Sequence, residues 1–455
     1  MDIALKRLND FHILIALTFL CLVAAPGLPA AAQGREARGA EVVLYRVKAG
    51  DNLYDLAGRY LTRIESHAAV QRLNAISDPR RLRPGSLIRI PRSLLRHEPL
   101  RAVVQSYRGT VIVQRGAARQ AVAVGMRLGE GDLLETAEKS FVSLRLPDDS
   151  TVAMPSHSSV RIQRLRRTLL GGSIDRLFAI VKGRANATVT PMTDPGSRFD
   201  MSTPLAVSAV RGTEFRMSFD PGARRTTTEV TEGKVAFEPA IEGSAAPAGA
   251  QLVTTGFGIA TDLAAPVALL SPPDLLRPGR VQDEDRLRFE LRPVDGAVRY
   301  HIQVSRDAGF LELLDDAEAA APLVDLEPLA NGTYFVRATA IDARGLEGMP
   351  ATYGFERRLN RVEASVEGTQ AGRHREYLFR WRTPDAPRAQ YRFQLFSASA
   401  IDPIVDETGL ASTTFVVADL PEGSYRWRVM TLKFAEGRPY DSWSTFQELR
   451  VDTEK

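Results

Sequence analysis

The stretch YRVKAGDNLYDLAGRYLTRIESHAAVQRLNAISDPRRLRPGSLIRIP, residues 45–91, decides how the first part of the chain folds. Tyr45 and Val47 alternate with charged residues, which is the period of a strand. Asn52, with an aspartate three residues later, indicates a helix N-cap and an acidic first turn. Apolar residues then recur at helical spacing in two short segments, and Pro84-Gly85 precedes a returning strand. The stretch therefore predicts a β-α-α-β unit with a small core.

The motifs of this stretch resemble those of the LysM domain family. They are the G-D-x-L turn at 50–53, the L-N at 73–74 and the ending P-G-x-x-I-x-I-P at 84–91. The resemblance implies binding to glycans that contain N-acetylglucosamine, most often peptidoglycan, in a shallow groove between two loops. The groove residues that it implies are Gly50, Asp51, Asn52, Leu53, Asn74, Ala75, Ile76, Ser77 and Asp78.

Structural roles stay open for some of these residues. Asp51 and Asn52 can cap the first helix, and Leu53 can belong to the core. The second helix begins with Ser66-His67 and lacks the tryptophan that the family has there, which implies a modest glycan affinity.

Positive charge is concentrated around the same stretch. Residues 41–97 contain eleven Lys or Arg and five Asp or Glu, a local net charge of 11 − 5 = +6, whereas the whole chain has +4. Arginines at 80, 81, 83, 89 and 92 crowd one end. Such a face would attract anionic polymers of the envelope, although a merely solvated arginine face is an equal alternative. The overall charge is too small to indicate nucleic acid.

Residues 1–32 have the layout of a secretory signal peptide. Lys6 and Arg7 precede an apolar run at 11–25, and Ala30, Ala31 and Ala32 offer a cleavage site. An uncleaved membrane anchor is the alternative, but the run is short for a span. The only cysteine, Cys21, lies inside the run and follows a leucine, so we expect no lipidation.

These features predict export across the inner membrane to the periplasm or cell wall. Residues 33–44 would be a linker. We expect no stable membrane span after cleavage, because no later apolar run is long enough.

Residues 101–261 predict an all-β domain, with short alternating segments and a hairpin-like turn at 147–150. The stretch AVRGTEF at 209–215 and its neighbours resemble the FecR family, a periplasmic regulator that passes a signal from an outer-membrane receptor to a sigma factor. Few residues precede the apolar run, so we expect an envelope domain rather than the complete circuit. Two interpretations of one cluster stay open: a partner surface, or a structural turn with an internal Arg–Glu pair. Its residues are Arg211, Gly212, Thr213 and Glu214.

Two segments, 280–358 and 362–455, repeat each other with an offset of 91 residues. LANGTYFVR at 329–337 corresponds to LPEGSYRWR at 420–428. Both segments predict β-sandwiches and distantly resemble fibronectin type III modules, which implies spacers or protein-binding surfaces. Trp381, Trp427 and Trp443 could line a sugar platform or pack in a core. The predicted fold class is therefore multidomain and mainly β: a βααβ LysM-like module, a FecR-like domain and two sandwiches.

No pattern for catalysis, metal or cofactor stands out. The chain has no phosphate loop, no H-E-x-x-H pair and no G-x-S-x-G elbow. The histidines outside the signal lie singly, without the spacing of metal ligands. We therefore predict a non-catalytic envelope protein that binds peptidoglycan and possible envelope partners. The alternatives are a FecR-type signalling component and, as a weak third, a cell-wall hydrolase with two carboxylates across a cleft.

Overall fold

A computed structural model describes the chain at residues 42–240, 249–371, 374–384, 389–435 and 437–452. The signal peptide and most of the linker that we predict lie outside these residues. The described part is mainly β, as predicted, and forms several sheets with two short α-helices near its beginning. Within these ranges, none of the helices has the length and apolar character needed to cross a membrane.

Residues 42–91 form the predicted β-α-α-β unit. Its elements are β1 (Val42–Arg46), α1 (Leu53–Tyr60), a 3-10 turn (Ile64–Ser66), α2 (His67–Leu73) and β2 (Leu87–Pro91). The strands pair antiparallel, and α1 begins where predicted because Asn52 Oδ1 accepts a hydrogen bond from the Asp55 amide at 2.9 Å. A further 3-10 turn (Arg92–Leu94) comes after β2.

The core of this unit lies between the two helices and the two-stranded sheet. Leu53, Ala57 and Val70 are at most 1% exposed and meet the inward-facing Ile88 and Ile90 of β2. Full burial of one such leucine contributes about 2 kcal/mol. The same core includes Leu170, which lies beyond residue 91, so the unit packs against the neighbouring part of the chain.

Residues 97–268 form a closed barrel. Its strands are β3 (His97–Pro99), β4 (Ala102–Arg108), β5 (Val111–Arg115), β6 (Ala118–Ala121), β7 (Arg127–Leu128), β8 (Leu133–Thr136), β9 (Phe141–Arg145), β10 (Thr151–Met154), β11 (Ser159–Thr168), β12 (Ile174–Thr188), β13 (Arg198–Ser202), β14 (Ala206–Val210), β15 (Glu214–Asp220), β16 (Arg225–Glu232), β17 (Lys234–Pro239), β18 (Gln251–Thr254), β19 (Phe257–Ala260) and β20 (Val267–Ala268). The barrel begins before and ends after the limits of 101–261 that we predict.

The barrel is built from two sheets that share the long strand β12. Its first half pairs with β11 and β13, and its second half pairs with β10 and β15. Gly183 stands where the strand passes from one sheet to the other, with φ +79°, and a Cβ there would lie 2.6 Å from the carbonyl oxygen of His157. Phe178, Phe199 and Phe215 meet in the core between the sheets.

The first repeat folds into two facing sheets. Its strands are β21 (Leu287–Glu290), β22 (Ala297–Ser305), β23 (Leu313–Ala319), β24 (Leu323–Leu326), β25 (Gly332–Asp342) and β26 (Ala351–Arg357). One sheet has the order β21-β24 and the other the order β23-β22-β25-β26. Alternate residues of both sheets, such as Phe289, Ile302 and Val336, fill the core between them.

The second repeat has the same plan. Its strands are β27 (Glu363–Ala371), β28 (His374–Arg382), β29 (Gln390–Ser397), β30 (Val405–Leu410), β31 (Thr414–Ala418), β32 (Gly423–Ala435), β33 (Arg438–Trp443) and β34 (Gln447–Val451). The sheets have the orders β27-β28-β31 and β30-β29-β32-β33, with β34 also on β32. Tyr334 and Tyr425, 91 residues apart, each donate a hydroxyl hydrogen bond to the carbonyl four residues earlier, at 3.0 and 2.7 Å.

The first sandwich is held against the barrel by a buried carboxylate. Glu347, whose side chain is 5% exposed, accepts hydrogen bonds from Thr339 Oγ1 at 2.7 Å and His301 Nδ1 at 3.0 Å. Its other oxygen lies 2.5 Å from Arg184 of β12. Arg216 of β15 donates to the carbonyl oxygens of Glu347 at 2.6 Å and Gly348 at 2.7 Å. Two barrel strands thus hold one loop of the sandwich.

Candidate glycan-binding site

The two loops that the sequence assigns to the groove meet in the structure. The first connects β1 to α1, and the second comes after α2. The backbone amide of Leu53 donates to the carbonyl oxygen of Pro79 at 2.8 Å. Each loop turns through a left-handed residue, Gly50 at φ +86° and Ala75 at φ +50°. The geometry therefore brings residues 50–53 and 74–79 to the same edge of the module.

Asp51 has a structural task in the first loop. Its Oδ2 accepts hydrogen bonds from the Lys48 amide at 2.7 Å and from the Tyr45 hydroxyl at 2.8 Å. Burial and this hydrogen bond raise the pKa of Tyr45 to about 12. The carboxylate thus closes the turn after β1, and the helix cap itself comes from Asn52.

Asn74 has a structural task in the second loop. Its amide nitrogen donates to the carbonyl oxygens of Val70 at 2.8 Å and Arg89 at 2.7 Å, and its oxygen accepts from the Arg89 amide at 2.7 Å. Both polar atoms of the side chain are therefore used to tie the end of α2 to β2. These hydrogen bonds shape the second loop.

The remaining predicted residues divide by exposure. Leu53 is 1% exposed and belongs to the core, and Ile76 is half-buried against the same core. Gly50, Ala75, Ser77 and Asp78 are exposed. Asp78 Oδ1 accepts a hydrogen bond from the Arg80 amide at 2.9 Å. The open part of the site thus consists of three small residues and the charged Asp78.

A pair of aromatic rings near the first loop, one exposed and one half-buried, was not predicted. The rings of Tyr54 and His67 lie 4.6 Å apart between centroids, and Tyr54 is 40% exposed. His67 Nδ1 lies 2.8 Å from the carbonyl oxygen of Ile64, which fixes the start of α2. The signal that could have found the pair is the tyrosine directly after the G-D-x-L turn, combined with the unusual Ser66-His67.

The cluster Arg211–Glu214 is a structural turn, but without the internal Arg–Glu pair. The Arg211 guanidinium donates to the carbonyl oxygens of Asp194 at 2.9 Å and Pro195 at 3.2 Å. Gly212 has φ +96° and approaches Pro191 so closely that a Cβ would lie 2.7 Å from its Cα. Thr213 donates to the Lys234 carbonyl at 2.9 Å. Gly212 turns the chain between β14 and β15, and Glu214 is the first residue of β15. Arg211 and Glu214 therefore lie on opposite sides of the turn.

Residues 211–213 also border a groove on the outer surface of the barrel. Its volume is about 920 Å³. Strand pairing aligns one row of side chains across five strands. Each residue of the row pairs with the next, in the order Leu177, Asp200, Ala209, Ala236 and Leu252. Four other lining residues carry positive charge and one carries negative charge, namely Arg164, Arg198, Arg211, Lys234 and Glu238. The groove therefore combines a largely apolar floor with a cationic edge.

Two of the three tryptophans lie inside the second sandwich. Trp381 is 3% exposed and Trp427 is not exposed, and both pack against Phe393. A sugar platform that includes these two is therefore wrong. Across the described ranges, His, Asp and Glu side chains form no group of three with the arrangement of a metal site.

Two family models match the chain. Residues 45–91 match the LysM domain, and residues 132–236 match the FecR protein. No curated protein matches the chain.

Solved structures resemble parts of the chain. A "putative anti-sigma factor" of Parabacteroides distasonis is 20% identical over 30% of this chain, with a TM-score of 0.23, and the chain spans 57% of that protein. A two-domain fibronectin type III segment of chicken tenascin is 17% identical over 40% of this chain and 99% of its own, with a TM-score of 0.20. Fibronectin(III)-like modules of Clostridium thermocellum CbhA are 12% identical over 39% of this chain and 90% of theirs, with a TM-score of 0.21. The chain thus combines a segment that matches the LysM domain with a segment that matches the FecR protein.

Proposed function

We propose that this protein is a non-catalytic component of the bacterial cell envelope that binds peptidoglycan through its LysM segment. The observation that carries the proposal is the match of residues 45–91 to the LysM domain, together with the two loops joined at Leu53 and Pro79. The ligand would be the N-acetylglucosamine-containing glycan strand. The protein would act in the periplasm or at the cell wall.

The proposed recognition relies on backbone and small side chains. Asp51 and Asn74 are used internally, so the acetamide and hydroxyl groups of the sugar would meet the backbone of Gly50, Ala75 and Ser77. Small exposed residues let a flat sugar approach this backbone, and the half-buried Ile76 offers an apolar seat for the acetyl methyl group.

The test is binding to isolated sacculi. Ser77→Trp places a bulky ring on the exposed second loop and is expected to reduce binding at least tenfold. Ser93→Trp is the matched control, because Ser93 is exposed in the 3-10 turn after β2, away from the loops. We expect the control to bind like the unchanged chain. Equal binding by both variants would contradict the proposed groove.

We further propose that the barrel and sandwiches bind or space other envelope proteins. The groove beside Arg211 supports this, because an apolar floor with a charged edge is typical of a binding surface.

The hydrolase alternative has its own test. Incubation of purified sacculi with the protein is expected to release no soluble fragments, since we assign it no catalytic residues. Release of fragments would support the hydrolase alternative.

A second candidate function is signalling in a FecR-type system, which the match at residues 132–236 favours. This function predicts a membrane partner that binds the barrel. Crosslinking in cells, with identification of the crosslinked species, distinguishes the two. Recovery of wall material alone would count against signalling, and recovery of a membrane receptor would support it.

A further inference from the structure

The two sandwiches repeat each other, but one of their corresponding sheet faces is covered in the first sandwich and accessible in the second. In the first sandwich, β22 and β25 present His301, Gln303 and Thr339 on this face. These residues are 5%, 7% and 1% exposed, because the face packs on the barrel through Glu347 and its partners. This face of the fold therefore already serves as a sheet-packing surface in this protein.

With the repeat offset of 91 residues, the corresponding positions of the second sandwich are Arg392, Gln394 and Met430. There the face presents aromatic rings interleaved with arginines. Arg428 lies 4.1 Å from the ring centroid of Trp443 and 4.7 Å from that of Phe446, and Arg426 lies 4.9 Å from that of Phe446. We call this the aromatic–arginine face, defined by Phe396, Arg426, Arg428, Trp443 and Phe446.

The aromatic–arginine face is accessible where its counterpart is covered. Phe446 is 41% exposed, and Arg426, Arg428 and Trp443 are half-buried. Tryptophan and arginine are among the residue types that contribute most to the binding energy of protein interfaces, and phenylalanine is enriched in such interfaces. Stacking holds the arginine side chains in place, so little conformational entropy remains to be lost on binding.

Charge on this face alternates in sign. Arg392 forms a bidentate pair with Asp406 at 2.6 and 2.7 Å. Strand pairing places Glu448 beside Arg426, and Asp441 beside Leu432 next to Trp443. A face with interspersed charges of both signs does not repel a copy of itself. A two-fold rotation can bring an arginine of one copy to a carboxylate of the other.

We propose that the aromatic–arginine face binds the same face of a second copy of this chain, as an isologous dimer. Four strands at about 4.8 Å spacing and roughly six residues at 3.3 Å each cover only about 400 Å² per copy. The two copies together would then bury about 800 Å², below the roughly 1,200–2,000 Å² of stable specific interfaces and in the range of weak, transient ones. We therefore expect a weak dimer, with a dissociation constant in the micromolar range.

The experiment is sedimentation velocity on the purified chain between about 1 and 200 µM, over which a micromolar dimer changes its population. The weight-average mass is expected to rise from one chain toward two. Phe446→Ser removes the exposed ring, which is one of the rings that pack on Arg428, but leaves the Trp443 ring in place. We expect it to weaken association at least tenfold. Arg428→Glu is expected to abolish it.

Arg380→Glu is the matched control, because Arg380 is an exposed arginine on the other sheet of the same sandwich, with a side-chain exposure of 54%. It is expected to associate like the unchanged chain. Thermal unfolding of each variant verifies that the sandwich folds. A single-chain mass at every concentration would overturn the proposal. Dimers unaffected by Phe446→Ser and Arg428→Glu would also overturn it, because they would use another surface.

Discussion

Glu347 shows how one residue can hold two parts of the molecule together. Burial alone would raise the pKa of Glu347, but the charges of Arg216, Arg184 and His301 hold it well below its usual range. Burial likewise would lower the pKa of His301, but the charge of Glu347 and the hydrogen bonds to Asp316 and Glu347 raise it to about 9. The neighbouring Glu229 is different, because its burial dominates and raises its pKa.

Replacement of Glu347 by alanine tests this arrangement. The change removes the carboxylate that the half-buried Arg184 shares with the buried Arg216 and His301. Removal of one partner from a buried ionic group costs about 3–5 kcal/mol. We expect the free energy of unfolding of the barrel and first sandwich to fall by this amount, as measured by urea denaturation.

The same interface offers its own control at its exposed rim. Lys139 and Glu327 form a pair at 3.2 Å between barrel and sandwich, with both side chains 63% exposed. Glu327→Ala is expected to change the denaturation midpoint very little, because solvent screens exposed pairs. Equal losses in both variants would contradict a special role for the buried carboxylate.

The raised pKa of His301 predicts a pH dependence with a definite sign. The folded state holds the proton more tightly than the unfolded state, so its contribution is complete below pH 6.5 and is lost as pH rises through about 9. We expect stability to fall by up to about 3 kcal/mol across this window. Denaturation at pH 6, 7.5 and 9 measures it. His301→Gln should flatten this decline, and an undiminished decline in that variant would exclude His301 as its cause.

These residues could not be assigned from the sequence. Arg184 and Glu347 are 163 positions apart, and their meeting depends on how a sandwich docks on a barrel. Along the sequence, His301 is one of several scattered histidines with no partner nearby to single it out. By contrast, the cap at Asn52 was predictable, because its partner lies only three residues away.

At the scale of elements, sequence patterns within a few residues of each other predicted the helices and strands of the LysM-like unit. The arrangement of its candidate binding site depends instead on contacts between elements. Apolar spacing, turn residues and the Asn52 cap of α1 within 45–91 determine the two helices and two strands. The resemblance placed Asn74 in the groove, yet its partner Arg89 lies 15 residues away on β2. A residue predicted to line the groove can therefore also hold the fold together, and this second role becomes visible only once α2 lies against β2.

Asn74→Ala is expected to loosen the junction of α2 with β2 rather than to remove a ligand contact. Three hydrogen bonds are lost, and the free energy of unfolding of this unit is expected to fall by about 1.5–4.5 kcal/mol. Amide hydrogen exchange should show faster exchange in α2 and β2, while the barrel strands keep their protection. Ser77→Ala is the control on the same loop and should leave exchange unchanged. Unaltered exchange in Asn74→Ala would contradict the structural role.

At the scale of the whole molecule, the repeat predicted two sandwiches of one plan, and the structure adds how they differ. One sandwich face is covered by the barrel, and the corresponding face of the other is accessible. The sequence could not show which face is covered, because docking depends on residues of the barrel such as Arg216. The LysM segment packs on the barrel through Leu170 and the Arg92 hydrogen bond to Gly196, so its position is also fixed by tertiary contacts.

The asymmetry of charge along the molecule predicts how salt affects wall binding. Arg80, Arg81 and Arg83 are exposed beside the second loop, in a segment with net charge 11 − 5 = +6. At 0.15 M salt the Debye length is about 8 Å, so their attraction to anionic wall polymers is felt only at close range. We expect sacculus binding to weaken several-fold between about 0.05 and 0.5 M NaCl.

Replacement of Arg80, Arg81 and Arg83 by glutamine should remove most of this salt dependence while leaving weaker, salt-insensitive binding through the groove. The matched variant replaces Arg380, Arg382 and Arg438, three exposed arginines of the second sandwich, and has the same net charge. If that variant loses salt dependence equally, the attraction is a property of overall charge, and the LysM segment has no special part in it.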